Sequence, residues 1–201
     1  MTSKALRLVL LAGAFAAAGA CNKYDGAKDN GAAPADNTGA TTAAADKDPV
    51  ASAESAAPAS IARNASIVAV GGDGAMTTLR KGSNGWTCMP DAPDTTGPDP
   101  MCFDANAAKW VEAWIGHKPP PANNVGLMYM LEGGTDASNT DPYAKQPTAD
   151  NDWIKTGPHL MVVGSKEILA GHPSGAKPDT AAPYVMWAGT PYAHLMVPLK
   201  S

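Results

Sequence analysis

The chain of 201 residues has only three cysteines, two phenylalanines and no run of basic residues. It has no Gly-x-Ser-x-Gly, His-Glu-x-x-His or Cys-x-x-Cys motif and no phosphate-binding glycine loop, so the common enzyme signatures are missing. A net charge of -4, with 15 Lys and Arg against 19 Asp and Glu, argues against a nucleic-acid partner. A hydrolase assembled from scattered Ser, His and Asp side chains stays open as an alternative.

The one long apolar run lies at the N-terminus. Lys4 and Arg7 precede an uncharged stretch over 8–18, which is typical of a signal peptide and short for a transmembrane helix. The segment Ala18-Gly19-Ala20-Cys21 resembles the lipobox of bacterial lipoprotein precursors, although leucine is usual where Ala18 stands. That resemblance implies a signal peptide over 1–20 and a diacylated Cys21, which carries palmitate and anchors the protein to a membrane. Ordinary cleavage after the Ala-x-Ala sequence is the alternative.

The next segment, 21–57, has little to bury. Tyr24 and Val50 are its only sizeable apolar residues, so burial cannot offset the entropy of ordering. We expect a disordered tether here and a globular domain over 58–201. Asn22, where aspartate would favour retention in the inner membrane, predicts the outer membrane in a Gram-negative host, with the domain facing the periplasm or the exterior.

Two cysteines lie close together in the domain. Cys88 and Cys102 are 14 positions apart, and a bridge between them, which requires an oxidising compartment, would close a 15-residue loop. In the chain-entropy model such a loop stabilises a fold by about 3 kcal/mol. If Cys88 and Cys102 pair, Cys21 is the remaining cysteine and is available for lipidation. Asn84-Gly85 before Cys88 is a strong hairpin signal, so Cys88 is expected on the return strand of a hairpin that starts with 76–80.

One amphipathic helix and several short strands are expected in the domain. Asp104 can cap a helix over 104–116 with an apolar stripe at Ala107, Trp110, Val111 and Trp114, and Gly116 can end it. Strands are predicted over 66–70, 76–80, 125–131, 158–163, 184–187 and 192–199. The strand 125–131 is apolar on both faces and should be central. The pattern favours an α+β fold, mainly antiparallel β with one principal helix and one disulfide; an all-β fold is the alternative.

A repeated tripeptide is the most specific chemical feature. His159-Leu160-Met161 and His194-Leu195-Met196 each place His and Met at i and i+2, on the same face of a strand. If the two strands are neighbours, these four side chains offer two imidazoles and two thioethers, a ligand set suited to Cu(I). The alternative is that both strands belong to the core, where Met fills space.

Acidic and amide side chains recur in two loops. Asp91, Asp94, Asp99 and Asp104 surround the disulfide loop, and Asp136, Ser138, Asn139 and Asp141 follow Gly133-Gly134. Calcium accepts such ligands, but neither loop has the spacing of an EF-hand. Asx turns and helix caps are the stronger interpretation.

Tryptophan is the last candidate for binding. The faces of Trp86, Trp153 and Trp187 could line a groove for a carbohydrate or peptide. Because the chain has only two phenylalanines, the tryptophans are also candidates for the core.

Three segments resemble one group of secreted bacterial proteins. They are Gly82-Ser-Asn-Gly-Trp-Thr-Cys-Met-Pro-Asp91, Gly97-Pro-Asp-Pro-Met-Cys102 and Tyr184-Val-Met-Trp-Ala-Gly-Thr-Pro-Tyr-Ala-His194. The resemblance implies a secreted bacterial domain and assigns no chemistry. The sequence thus favours a non-catalytic binding or structural domain of the cell envelope. A periplasmic copper-binding protein that uses the two His-x-Met pairs is the first alternative, and a secreted hydrolase is the second.

Overall fold

The computed structural model describes residues 48–72, 74–93, 95, 97–134 and 137–199, all of which belong to one compact unit. The predicted signal peptide, Cys21 and the tether up to residue 47 lie outside these residues. Within the described part, no helix combines the length and the apolar character needed to cross a bilayer.

The described residues form an α+β fold, as predicted, with ten strands and three α-helices. Eight strands make one sheet, in which every neighbouring pair is antiparallel except one. The helices are α1 (Pro49–Ser55), α2 (Ala59–Ala62) and α3 (Ala105–Ile115), and a 3-10 turn covers Glu167–Leu169. The strands are β1 (Ser66–Val70), β2 (Met76–Arg80), β3 (Thr87–Met89), β4 (Met101–Phe103), β5 (Gly126–Met130), β6 (Ala137–Ser138), β7 (Trp153–Ile154), β8 (His159–Val163), β9 (Tyr184–Met186) and β10 (His194–Pro198).

The sheet has the strand order β2-β1-β3-β4-β5-β8-β10-β9, while β6 and β7 pair separately. The predicted central strand, β5, lies inside the sheet between β4 and β8. Antiparallel pairing of β8 with both β5 and β10 brings the two His-x-Met strands side by side. The feature that the copper hypothesis required is therefore present in the backbone.

Each face of the sheet is covered by a different helix layer. Helix α3 packs on one face, where Trp110 and Val111 join a cluster with side chains of β4, β5, β8, β9 and β10. Alanines of α1 and α2 pack on the other face, against Ile67 and the two cysteines. Because successive residues of a strand point to opposite faces, His159 and Met161 point toward α3, and the residue between them points away.

Helix α3 begins and ends as its sequence predicts. Asp104 Oδ1 accepts hydrogen bonds from the backbone N–H groups of Asn106 (3.0 Å) and Ala107 (2.7 Å), and the helix ends at Gly116. The second oxygen of Asp104 accepts from the N–H of Leu127 at 3.1 Å. One carboxylate thus fixes the helix start to strand β5, which sets the position of Trp110 over the sheet.

The predicted boundary between tether and domain is wrong. Residues 48–57 are folded: Asp48 caps α1, and Ala53 and Ala56 are fully buried against the disulfide. The composition argument failed because it looked for large apolar side chains. Here the small side chains of alanine allow a short helix to approach the sheet closely, and this close packing stabilises the helix without large apolar side chains.

Enlarging one of these alanines tests the corrected boundary. We expect Ala53→Leu to lower the free energy of unfolding by about 2 kcal/mol, because extra methyl groups must displace packed neighbours. Ala51→Leu, on the exposed side of the same helix, should change it by less than about 0.5 kcal/mol. Urea unfolding followed by tryptophan fluorescence measures both. Equal effects of the two substitutions would mean that α1 does not pack as described.

The predicted hairpin at Asn84-Gly85 is also wrong. Strand β2 pairs with β1, and β3 lies on the opposite side of β1, parallel to it. Asn84 forms a local turn, in which its side-chain oxygen accepts a hydrogen bond from the N–H of Trp86 at 3.1 Å. Its side-chain amide also donates to the carbonyl of Ile61 at 2.8 Å. Arg80 ends β2 by bonding Glu54 and the carbonyls of Ala62 and Ala65, so the chain turns toward α2 instead of folding back on β2.

The predicted disulfide is confirmed. Cys88 and Cys102 are bonded and lie directly opposite each other on β3 and β4. Both are fully buried beneath α1. The bridge therefore lies inside the core between α1 and the sheet, on the face opposite the two His-x-Met pairs.

Candidate binding cavity

A cavity of about 380 Å³ lies between the α3 face of the sheet and the segment 137–156. It is lined by all four side chains of the two His-x-Met pairs, together with further methionines, four tryptophans and a few polar groups. Exposed Asp141 and Lys145 belong to the lining and mark its outer rim. Apolar, aromatic cavities of this size with a few polar groups are typical of ligand sites.

The strand register arranges the four predicted ligands symmetrically. Met161 of β8 lies directly opposite Met196 of β10. His159 lies opposite Pro198, four residues from His194, so the two histidine backbones are about 13 Å apart along the strands. The thioether pair is therefore central, and one imidazole flanks it at each end.

His194 is the most deeply buried of the four, with 1% of its surface exposed. Its Nδ1 lies 2.9 Å from the carbonyl oxygen of Tyr192, whereas its Nε2 has no hydrogen-bond partner. A carbonyl can only accept, so Nδ1 carries the proton and Nε2 presents a lone pair. Burial lowers the pKa of His194 to about 4, which keeps the ring neutral at pH 7.

His159 repeats this arrangement. Its Nδ1 lies 2.6 Å from the carbonyl oxygen of Gly157, again two residues earlier in the chain. Burial lowers the pKa of His159 as well. Gly134 passes close to this ring: a Cβ there would lie 3.3 Å from His159 Cε1 and 2.6 Å from Thr156 Oγ1. Both imidazoles are thus neutral, held by the backbone, and have Nε2 free to act as an acceptor or a ligand.

Methionine dominates the sheet face around the two histidines. Seven of the nine methionines of the chain belong to this apolar cluster or pack against it. Met128 lies opposite Met161 on its other side, so three thioethers stand in a row across β5, β8 and β10. The seven methionines of the cluster are Met89, Met101, Met128, Met130, Met161, Met186 and Met196.

Three indoles form the wall that faces the histidines. The ring centroids of Trp110 and Trp187 lie 6.1 Å apart with nearly parallel planes, and Trp114 lies 5.5 Å from Trp187. Trp110 and Trp187 both meet the ring of His194 edge to face, at 5.4 and 4.9 Å. The sequence suggested Trp110 and Trp114 for the core, and only the packing of α3 on the sheet shows that they also line a cavity.

Trp187 adopts an unusual backbone conformation. Its φ is +55°, a region that bulky residues rarely occupy. Its N–H donates to the carbonyl of Asn139 at 2.9 Å, and its indole Nε1 donates to the carbonyl of Ser138 at 2.8 Å. Such conformations cluster at functional sites, where the surroundings maintain them. These bonds hold the indole against His194 and join β9 to the segment after β6.

The structure brings together two of the three tryptophans of the predicted groove. Trp153 and Trp187 line the cavity. Trp86 lies on the other face of the sheet, where it packs against Tyr129 at 5.7 Å and joins the cluster around the disulfide. It lies two residues before Cys88, so alternation along the strand places its side chain on the same face as the buried disulfide.

The acidic loops use their side chains to bond the backbone. Asp91 Oδ1 accepts from the N–H of Asp99, and Asp99 Oδ1 accepts from the N–H of Ala92. Asp141 accepts from the N–H of Tyr143, and Asp104 caps α3. Asp94 and Asp136 lie outside the described residues. Among those described, no group of three or more His, Cys, Asp or Glu side chains is placed to hold a metal ion.

Asp99 differs from the other carboxylates because it lines the cavity. Burial raises its pKa to about 6, and the hydrogen bond and charge of Asp91 act in the same direction. Its raised folded-state pKa means that Asp99 favours folding most below pH 4 and loses that contribution as the pH rises through 6. The side chain is therefore partly protonated in mildly acidic surroundings.

The cavity histidines do not form a hydrolytic centre with the described residues. Each donates its Nδ1–H to a carbonyl, and Ser138, the serine of the lining, donates its hydroxyl to the carbonyl of Asn151. Neither imidazole is thus placed by a carboxylate to activate a hydroxyl, as a Ser-His-Asp arrangement requires.

The chain matches no family model, no curated protein and no solved structure.

Proposed function

We propose that this protein is a non-catalytic binding protein of the bacterial cell envelope and that its cavity binds Cu(I). One observation supports the metal most directly. Two buried imidazoles, each with Nδ1 bonded to a carbonyl, flank a cross-strand pair of thioethers in one cavity, and the Nε2 of His194 has no hydrogen-bond partner.

The donor set favours a soft, monovalent ion. Thioether sulfur and neutral imidazole nitrogen suit Cu(I), whereas calcium and magnesium need oxygen ligands. A carbonyl that accepts from the second ring nitrogen is the usual support of a metal-binding histidine, because it sets the tautomer and the ring orientation. His159 and His194 both have this support.

The central thioethers are the proposed anchors of the ion. Met161 and Met196 lie opposite each other, and each histidine is a diagonal neighbour of the methionine on the other strand, a relation that long side chains can bridge. His194 is the stronger imidazole candidate, because its Nε2 is buried without a partner, which is costly for a polar atom unless something binds it.

The proposed location follows from the N-terminal residues and the disulfide. The lipobox-like segment before Cys21 supports a diacylated anchor, and two acyl chains bind a membrane stably where one would be marginal. A buried structural disulfide is usual outside the cytoplasm. We therefore place the domain at the envelope, facing the periplasm or the exterior and tethered to the membrane by lipid.

Metal content and Cu(I) titration test this function. The purified protein, made without a histidine tag, is titrated with Cu(I) under anaerobic conditions against a chromogenic chelator. We expect one Cu(I) per chain and a loss of affinity of about a hundredfold or more in His159→Ala/His194→Ala. Affinity should fall less between pH 8 and 6 than it would for exposed imidazole ligands, since burial lowers the pKa of both histidines and fewer protons must leave on binding.

Two control variants separate ligation from packing. His117→Ala/His172→Ala removes the same number of imidazoles outside the cavity lining and should leave Cu(I) binding unchanged. Met161→Leu keeps the volume of the side chain and removes its sulfur, so it should weaken Cu(I) binding without a matching loss of stability. A protein that binds no Cu(I), or that binds it equally well in both double mutants, would refute the proposal.

A further inference from the structure

We infer that the same cavity also binds a flat, uncharged aromatic molecule that carries one N–H or O–H donor. This inference concerns the metal-free protein and does not rest on the proposed copper site. It starts from the size of the cavity: about 380 Å³ is far more than one metal ion occupies. Small-molecule sites are mostly apolar clefts of about 300–1,000 Å³ with a few polar groups, and this cavity has that size and lining.

The side chains that line the cavity favour an aromatic ligand. Four indoles and several thioethers surround the space, and both pack well against aromatic rings. Trp110, Trp114 and Trp187 hold one another through ring contacts of 5.5 to 6.2 Å. The wall is therefore formed before any ligand arrives, which lowers the entropic cost of binding.

The polar groups of the lining favour an uncharged ligand that donates a hydrogen bond. His159 is 4% exposed and its Nδ1–H is used by the carbonyl of Gly157, so its Nε2 can only accept. His194 has the same tautomer, and its Nε2 lacks a partner. In these tautomers neither Nε2 has a proton to donate, so the two imidazoles offer acceptors and no donor to a carboxylate. The charged groups of the lining are Lys145, Asp99 and Asp141, which offer no excess of positive charge to an anionic ligand. An indole or phenol meets these requirements.

A pair of matched probes tests the inference. Indole and benzofuran have the same bicyclic shape, but benzofuran has oxygen in place of the N–H donor. We expect indole to bind the metal-free protein, in the presence of a copper chelator, about tenfold more tightly than benzofuran, because benzofuran leaves the imidazole acceptor unpaired. Isothermal titration calorimetry or ligand-observed NMR measures both affinities.

Two variants locate the hydrogen bond. His159→Phe and His194→Phe each keep a ring and remove one acceptor, so the variant that lacks the acceptor of the ligand should bind the two probes equally; if a variant fails to fold, the comparison in the wild-type protein decides. Equal affinities of the wild-type protein for both probes, or no saturable binding of either, would overturn the inference. Added Cu(I) should weaken indole binding if both occupants use the imidazoles. Indole binding by a protein that takes up no Cu(I) would refute the copper proposal alone.

Discussion

Gly126→Ala is expected to be among the most destabilising single substitutions in this domain, with a loss of about 3 kcal/mol in the free energy of unfolding. A Cβ at Gly126 would lie 2.2 Å from the backbone nitrogen of Ala107 and 2.6 Å from its Cα. No rotamer change relieves a clash between backbones. Helix α3 must therefore move away from β5, where Asp104 now holds its first turn.

The same substitution should disturb the cavity from a distance. Trp110 lies on α3 one turn after Ala107, and its ring contacts His194 at 5.4 Å. When the helix shifts, the indole wall shifts with it. Urea unfolding measures the stability, and near-UV circular dichroism measures the order of the tryptophans. Gly72→Ala is the matched control, because a Cβ there meets no atom within 4 Å; similar losses in both variants would contradict the close approach of α3 and β5.

Removal of the disulfide is the second large effect. We expect Cys88→Ala/Cys102→Ala to lose about 3 kcal/mol, since the bond closes a 15-residue loop in the unfolded chain. Two cavities left beneath α1 add to that loss, because both sulfurs are fully buried against its alanines. Equilibrium unfolding of the oxidised protein and the double variant measures the difference.

Burial gives the disulfide a second measurable property. Because neither cysteine is exposed, a mild reductant should leave the native bond intact and should cleave it only when urea opens the fold. Thiol titration with and without urea follows the reaction. An unchanged unfolding midpoint in the double variant, or rapid reduction of the native protein, would contradict a structural role in the core.

Several local features could be predicted because their causes are local. The side chain of Asp104, the apolar stripe through Trp110 and Trp114, and Gly116 are enough to define helix α3. The strands that carry the two His-x-Met pairs were located within two residues of their observed ends. In both, alternation of side chains places His and Met on one face, whatever the strands pair with.

Other features depended on contacts between distant residues. Asn84-Gly85 favours a hairpin locally, but Arg80 bonds Glu54 of α1 and the carbonyl groups of Ala62 and Ala65. These bonds direct the chain toward α2 after β2. Composition did not predict helix α1, because the contacts that stabilise it are with the sheet and the disulfide. Trp86 joins the disulfide face instead of the predicted groove, because the tertiary structure puts Cys88, two residues later, on the face opposite the cavity.

The sequence by itself determined helix α3, six of the strands, the disulfide and the two His-x-Met tripeptides, because capping, alternation and cysteine spacing act over a few residues. Tertiary structure alone decided that β8 and β10 are neighbours, that Met161 faces Met196, and that the indoles of Trp110 and Trp187 pack against His194. The reason is physical: strand order and helix placement are settled by burial summed over the whole chain. The protonation of the two imidazoles follows from that burial as well, and on it depends what the cavity can bind.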